Sequence, residues 1–194
     1  MMKELFRQLR ISLTAVLTLA VLLCGAYPLL VWAAGQALFP RQAGGSLVRT
    51  GGTVAGSALL AQRFAGSAYF HPRPSAAGGG YDAASSGGSN LGPTSRRLTE
   101  LVRARIAACR EENRLAANAP IPADAVTGSA SGLDPHISVS NALIQAGRIA
   151  RARGMSEEAL HGKIAAHTEG RDLGFLGMPR VNVLMLNLDL DQKE

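Results

Sequence analysis

The chain has 194 residues, 20 Lys and Arg against 14 Asp and Glu, a formal charge of +6 and only two cysteines. The charge bias is modest, and the arginines form neither a long basic block nor a basic strip interleaved with aromatics, which argues against a nucleic-acid partner. Beyond its first apolar run the chain keeps about 155 residues, enough for one compact domain with its own core and too few for two.

From Ile11 to Phe39, 29 consecutive residues include no Asp, Glu, Lys or Arg. Roughly 20 apolar residues at about 1.5 Å each cross the hydrocarbon of a bilayer, so 11–39 reads as a transmembrane helix. A cleaved signal has a shorter apolar region of about 7–15 residues, although Val31-Trp32-Ala33 has the form of a cleavage site. A lipoprotein signal ending at Cys24 would want a small residue where Leu23 stands. Lys3, Arg7 and Arg10 outweigh Glu4 ahead of the run, which places residues 1–10 in the cytoplasm and 40–194 outside, as a soluble extracytoplasmic domain on a single-pass inner-membrane anchor. Pro28 collides with the carbonyl one turn back and predicts a kink near Cys24-Gly25. Neighbouring helices often satisfy a carbonyl freed in this way, so the segment is expected to have protein neighbours.

After Pro40, Leu47-Val48 and Thr53-Val54 read as short strands around the turn signal Gly51-Gly52. Ala58 to Phe64 is a candidate short helix. From Tyr69 to Ser95 glycine, proline and serine leave no period, and a long loop is expected. A helix follows, capped by Thr94 or Ser95, with Leu98, Leu101, Val102, Ile106 and Cys109 on one stripe. Cys109 then reads as a buried small hydrophobe, and Cys24 in the membrane segment stands too far away to bridge it. Pro120 and Pro122 mark a linker to a second glycine-serine loop ending in Leu133-Asp134-Pro135-His136. Ser138 caps a helix that stops at Gly154, and Ser156 starts a third that runs to near Gly170. Arg148, Arg151 and Arg153 suit the negative pole of the second of these helices. Val181 to Leu188 reads as a central strand, apolar on both faces. The fold class is therefore α+β: one transmembrane helix, then a single mixed domain with a small sheet and about three helices.

Neither a phosphate-binding Gly-x-x-x-x-Gly-Lys-Ser/Thr nor an Asp-Lys-Thr-Gly phosphorylation sequence occurs, so the chain is not expected to hydrolyse ATP by itself. Ser86-Gly87-Gly88-Ser89-Asn90 has the look of a segment whose amides meet phosphate, against the simpler reading of a tight turn. Asp134, His136 and His71 are candidates for a metal or an acid–base pair, but Asp-Pro-His before a helix braces backbone as readily as it binds zinc, and no metal is expected. Ser131, His136 and Asp134 lack a nucleophile elbow. His161 and His167 fall on different helix faces and cannot chelate together.

Several stretches in this order resemble one family. They are Leu23-Cys24-Gly25 with Tyr27-Pro28, Ala37-Leu38-Phe39-Pro40 followed by Gly45-Ser46-Leu47, and Gly56-Ser57 with Gln62 and Phe64. Tyr69-Phe70-His71-Pro72-Arg73-Pro74-Ser75, Ser86 to Pro93, Ser131 to Ser138, and Gly177, Pro179 and Val181 to Leu184 continue the series. Behind one N-terminal membrane helix they look like the C subunit of the bacterial potassium-transporting P-type ATPase, the Kdp complex. Thr127-Gly128-Ser129-Ala130 and Ile144 before Gln145 depart from the usual pattern.

The resemblance implies a non-catalytic subunit of an ATP-driven potassium importer. Its partners would be a channel-like potassium-binding A subunit, an ATP-hydrolysing B subunit and a small F subunit. The family is described as a catalytic chaperone raising the B subunit's affinity for ATP, which makes Ser86, Gly87, Gly88, Ser89, Asn90 and Gln145 candidate nucleotide contacts. Tyr69, His71, Arg73, Asp134, His136 and Pro28 are candidates for subunit interfaces. No cofactor is expected on the chain itself; ATP and potassium belong to the complex. The competing classes are a stand-alone membrane-anchored hydrolase using His71, Asp134 and His136, and a protein capturing a small anion on Gly87-Gly88.

Overall fold

The computed structural model describes residues 1–192. It divides at the start of the first strand into two units, Met1–Leu47 and Val48–Glu194. In the first, α1 (Met2–Ala20), a π-helical segment (Val21–Ala26) and α2 (Tyr27–Leu38) form one uninterrupted helix. It starts nine residues before the expected Ile11 and leaves Phe39 just outside. At 37 residues it is long and apolar enough to cross a membrane, and none of its most apolar stretch is buried. The irregularity expected one turn before Pro28 takes the form of the π segment, where the Tyr27 N–H reaches back to Leu22 O. A wider turn is one way a helix absorbs the bond that a proline cannot make. The short α3 (Pro40–Ala43) follows.

From Leu47 onward, β1 (Leu47–Thr50) and β2 (Thr53–Ser57) pair as a hairpin. Gly51 and Gly52 have φ of +58° and +84°, the two positive values a two-residue hairpin turn requires and that glycine adopts most easily. The expected helix at Ala58–Phe64 is absent: the chain makes a turn there and runs without helix or strand to Ser95. Its position is set instead by backbone contacts such as Ala61 N–H to Leu133 O at 2.9 Å.

α4 (Arg96–Asn113), α6 (Val139–Arg153) and α7 (Glu157–Ala166) are capped by Ser95, Ser138 and Ser156, each accepting from the N–H three residues on. α6 closes on Gly154 at φ +66°. α7 ends four residues before the expected Gly170, because β4 (Thr168–Glu169) begins there. The proline linker holds a further short helix, α5 (Ala123–Val126). His136, read as part of a loop, lies on β3 (His136–Ser138). β5 (Arg180–Asn182) is the middle strand of an antiparallel sheet ordered β3-β5-β4, with Ile137 opposite Val181 and Thr168 opposite Val181.

The strand expected over Val181–Leu188 lasts only to Asn182; the rest is α8 (Val183–Asp191). Asn182 caps it, accepting from Met185 N–H at 3.2 Å. Val183, Leu186, Asn187 and Leu190 then share one buried helical face, and with the polar Asn187 among them the helical period was masked. α6 lies at the centre, against α7, α4, β3 and β5. Its Ile149 is fully buried in the core with Phe70, Ile137, Leu160, Ile164, Val181 and Leu186. Among the described residues the sheets number two, not one, and both are small.

Candidate functional site

The long loop is held in place by side-chain amides. Asn187 accepts from Phe70 N–H at 2.8 Å and donates to Phe70 O at 2.9 Å. Gln145 does the same for His71, at 2.8 and 3.1 Å, and also donates to Asn141 Oδ1 at 3.0 Å. Two helices thus imitate strand partners for a segment that pairs with no strand among the described residues. Arg148, buried at 6% exposure, completes the frame. It donates to Asn113 Oδ1, Gln145 Oε1, Ser67 O and Tyr69 O at 3.1, 2.9, 2.6 and 3.0 Å. Burial lowers its guanidinium pKa, and Glu112 at 3.8 Å opposes that shift. Arg153 reaches Ala68 O, Leu190 O and Asp191. Of the three arginines read as complementing a helix pole, only Arg151 is exposed; the other two tie distant segments together.

The candidate residues separate into distinct places. Tyr69 donates to Asp191 Oδ2 at 3.1 Å, with the Arg153 guanidinium 4.8 Å over its ring. His71 lines a cavity of about 240 Å³, its Nδ1 3.0 Å from Glu112 and its Nε2 3.1 Å from Gly66 O. Burial first and Arg148 second hold His71 below the usual imidazole pKa. Cys109 lines the same cavity half-buried, and burial pushes its thiol up, so it has little thiolate character near neutral pH. Pro28 belongs to the other unit.

Arg73, Asp134 and His136 come together in a larger open groove of about 770 Å³. Arg73 donates to Asp134 Oδ2 at 3.1 Å and to Gly128 O at 3.0 Å. Asp134 Oδ1 accepts from the His136 N–H at 3.0 Å and faces His136 Nδ1 at 3.4 Å. The His136 side chain, with its backbone N–H and Arg73 adding, holds the Asp134 carboxyl below the usual range. Across the sheet His136 Nε2 stands 3.6 Å from Glu169, which pairs with Arg180 at 3.0 Å, and Arg180 also grips Asp172. The result is a chain of alternating basic and acidic side chains that begins in the groove; Ile121, Pro122, Ile144 and Met178 line the groove with apolar surface. Glu169, Asp172 and Arg180 were not anticipated. Their signal was the Gly174 and Gly177 punctuation between flanking charges, of which only Gly177 was read, and that as part of a resemblance.

His71 does not share this groove, so the three residues proposed for a hydrolase are not assembled in one cavity. In Ser86–Asn90, the Ser86 hydroxyl and the Gly87 N–H both donate to Ser131 O, at 3.0 and 2.9 Å. A Cβ on Gly132 would stand 2.6 Å from Gly87 O, so the two glycine loops touch backbone to backbone. Ser89 and Asn90 are exposed beside them.

The family model for the c chain of K+-transporting ATPases, KdpC, matches residues 9–192. A potassium-transporting ATPase KdpC subunit from Nitratidesulfovibrio vulgaris is 56% identical over 183 residues, 94% of this chain and 92% of that protein. Those from Koribacter versatilis and Rhodospirillum rubrum are 53% and 52% identical, over 88% and 97% of this chain and 87% and 97% of their own lengths. A match of this extent, running through both the apolar helix and the second unit, places the chain in the KdpC family, as an accessory and non-catalytic subunit of a K+-transporting ATPase.

Proposed function

We propose that the domain following the apolar helix lies outside the membrane, with residues 1–10 in the cytoplasm, and docks on the channel-like potassium-binding A subunit near the potassium entrance. The pump is completed by the ATP-hydrolysing B subunit and the small F subunit. The domain stabilises assembly, while the helix around Pro28 packs against neighbouring membrane helices. The observation that carries this reading is the groove: Arg73, Asp134 and His136 form a fixed, mutually ordered set of polar groups on an open apolar surface. Gln145, by contrast, has both ends of its amide engaged within the fold. An orderly polar array beside exposed apolar walls suits recognition of a folded partner, because the charges need no reorganisation on binding.

From outside the membrane, an effect on the B subunit's affinity for ATP arrives through the membrane helices as a coupling free energy. The test is sidedness together with retention. Gly79 is exposed, and a Cβ there meets nothing, so Gly79→Cys in a Cys109→Ala background reports on the folded domain. Labelling by an impermeant thiol reagent in intact cells is expected, as is co-purification of the tagged chain with the A and B subunits in mild detergent. Labelling only after lysis overturns the reading and brings Ser89 and Asn90 beside the nucleotide. Purification of the chain without the A and B subunits overturns the assembly role.

A further inference from the structure

Between β4 and β5 the chain builds a turn that is rigid at its base and apolar at its tip. Asp172 and Leu176 exchange both backbone hydrogen bonds, each at 2.9 Å, and Gly174 N–H and Phe175 N–H close on Arg171 O and Asp172 O at 3.1 and 3.3 Å. Arg180 clamps the base with two contacts to Asp172, at 3.2 and 3.3 Å, and one to Glu169 at 3.0 Å. This frame turns Leu173, Phe175 and Met178 into solvent at 83%, 68% and 74% exposure. Leu173 is held at φ +53°, a left-handed conformation that a leucine rarely adopts and that survives only where its surroundings impose it. Soluble surfaces seldom present several large apolar side chains together unless something covers them.

We infer that residues 172–178 are a preorganised knob that inserts into an apolar cleft on the folded extramembrane face of a partner subunit of the pump. The inference rests on the docking reading and deepens it by naming the anchor. Met178, two residues past the closed turn, is both exposed and part of the groove wall, so the knob adjoins the surface that carries Arg73, Asp134 and His136. A rigid turn loses little conformational freedom on binding, and a few desolvated apolar anchors dominate such interfaces. A bilayer fits the site less well. The base sets Arg171 and Arg180 against Asp172 and Glu169, leaving no excess of positive charge to draw anionic headgroups, and it would bring two carboxylates toward lipid phosphates.

The experiment uses the complete pump in native membranes, with the photoreactive amino acid p-benzoylphenylalanine placed at Phe175 or, separately, at Ile121 in the groove. Irradiation at position 175 is expected to give an adduct whose mass identifies another subunit of the pump. An Ile121 adduct with a pump subunit, together with no adduct or only lipid at position 175, overturns the knob and leaves groove docking intact. An adduct at 175 with none at 121 upholds the knob and removes the groove from the interface. A second arm follows loss of the chain from the detergent-solubilised complex. Phe175→Ser is expected to speed that loss by about tenfold or more, the ordinary effect of removing an anchor. Its protease resistance should be unchanged, because the side chain is largely exposed; an unchanged rate of loss overturns the inference.

Discussion

Gln145→Leu removes the amide that stands in for a strand partner of His71, and its cost can be worked from the hydrogen bonds it makes. Four are lost: His71 N–H and Arg148 Nη2 lose their acceptor, and His71 O and Asn141 Oδ1 lose their donor. At about 1 kcal/mol net for each, the loss is about 4 kcal/mol, a large share of the roughly 5–15 kcal/mol that stabilises an ordinary domain. Leucine refills most of the volume, so the effect is polar and not a cavity. Pulse proteolysis of the full chain in mild detergent across a urea series reads the change. With a slope near 2 kcal/mol per molar urea the midpoint should fall by about 2 M. Gln145→Glu should fall between wild type and leucine, because the carboxylate keeps its acceptors for His71 N–H and Arg148 while facing His71 O and Asn141 Oδ1 without a donor. A midpoint shift below about 0.5 M for leucine would refute the structural role. If the ATP dependence of the pump changed instead, with labelling at Gly79→Cys only after lysis, Gln145 would become a nucleotide contact.

Gly132→Ala should destabilise by about 2–4 kcal/mol, since φ is +68° and the new Cβ would meet Gly87 O at 2.6 Å and Ala77 N at 2.8 Å; Gly79→Ala, in open space, should be silent in the same urea series. Asp124→Ala strips the N-terminus of α6 of an acceptor for the Ser138 N–H, the Ser138 hydroxyl and Asn141 Nδ2, all within 2.9 Å, and a loss of about 2 kcal/mol is expected. Amide exchange at Ser138 and Asn141 should rise first, and uniform exchange along α6 would contradict the assignment. Acid stability separates two groups. His71 has a depressed pKa when folded, so below about 6.5 the unfolded chain takes up more protons there, and the contribution present above that pH is lost as pH falls through the folded value. Asp134 is depressed from an ordinary carboxylate, so its contribution disappears only below about 4. His71→Asn should therefore flatten the stability curve between pH 7 and 5 and leave the lower limb alone; an unchanged slope in that window would count against the reading.

The elements that were legible in the chain share a short range. Ser95, Ser138 and Ser156 each cap through a bond three residues long, Gly154 terminates α6 by its own φ, and Gly51-Gly52 closes β1 on β2 within two residues. Asp134 and His136 were found together because they are two apart and bond across that interval. The failures also have a physical form. Ala58–Phe64 has the composition of a helix, yet its backbone is drawn to Leu133, and Val183–Leu190 hides a helical face behind one buried asparagine.

The sequence by itself determined the charge-free run, the caps, the turns and the family, because each is carried by neighbouring residues or by linear order. Tertiary structure alone decided what the polar residues do. Gln145 meets His71 across 74 positions, Asn187 meets Phe70 across 117, and Arg148 meets Ser67 and Tyr69 across 81 and 79. It also brought Arg180 against Asp172 and so set Leu173, Phe175 and Met178 into solvent on a rigid turn. An amide or guanidinium has the same donors wherever it stands, and which groups it satisfies depends on the backbone that folding brings within about 3 Å of it.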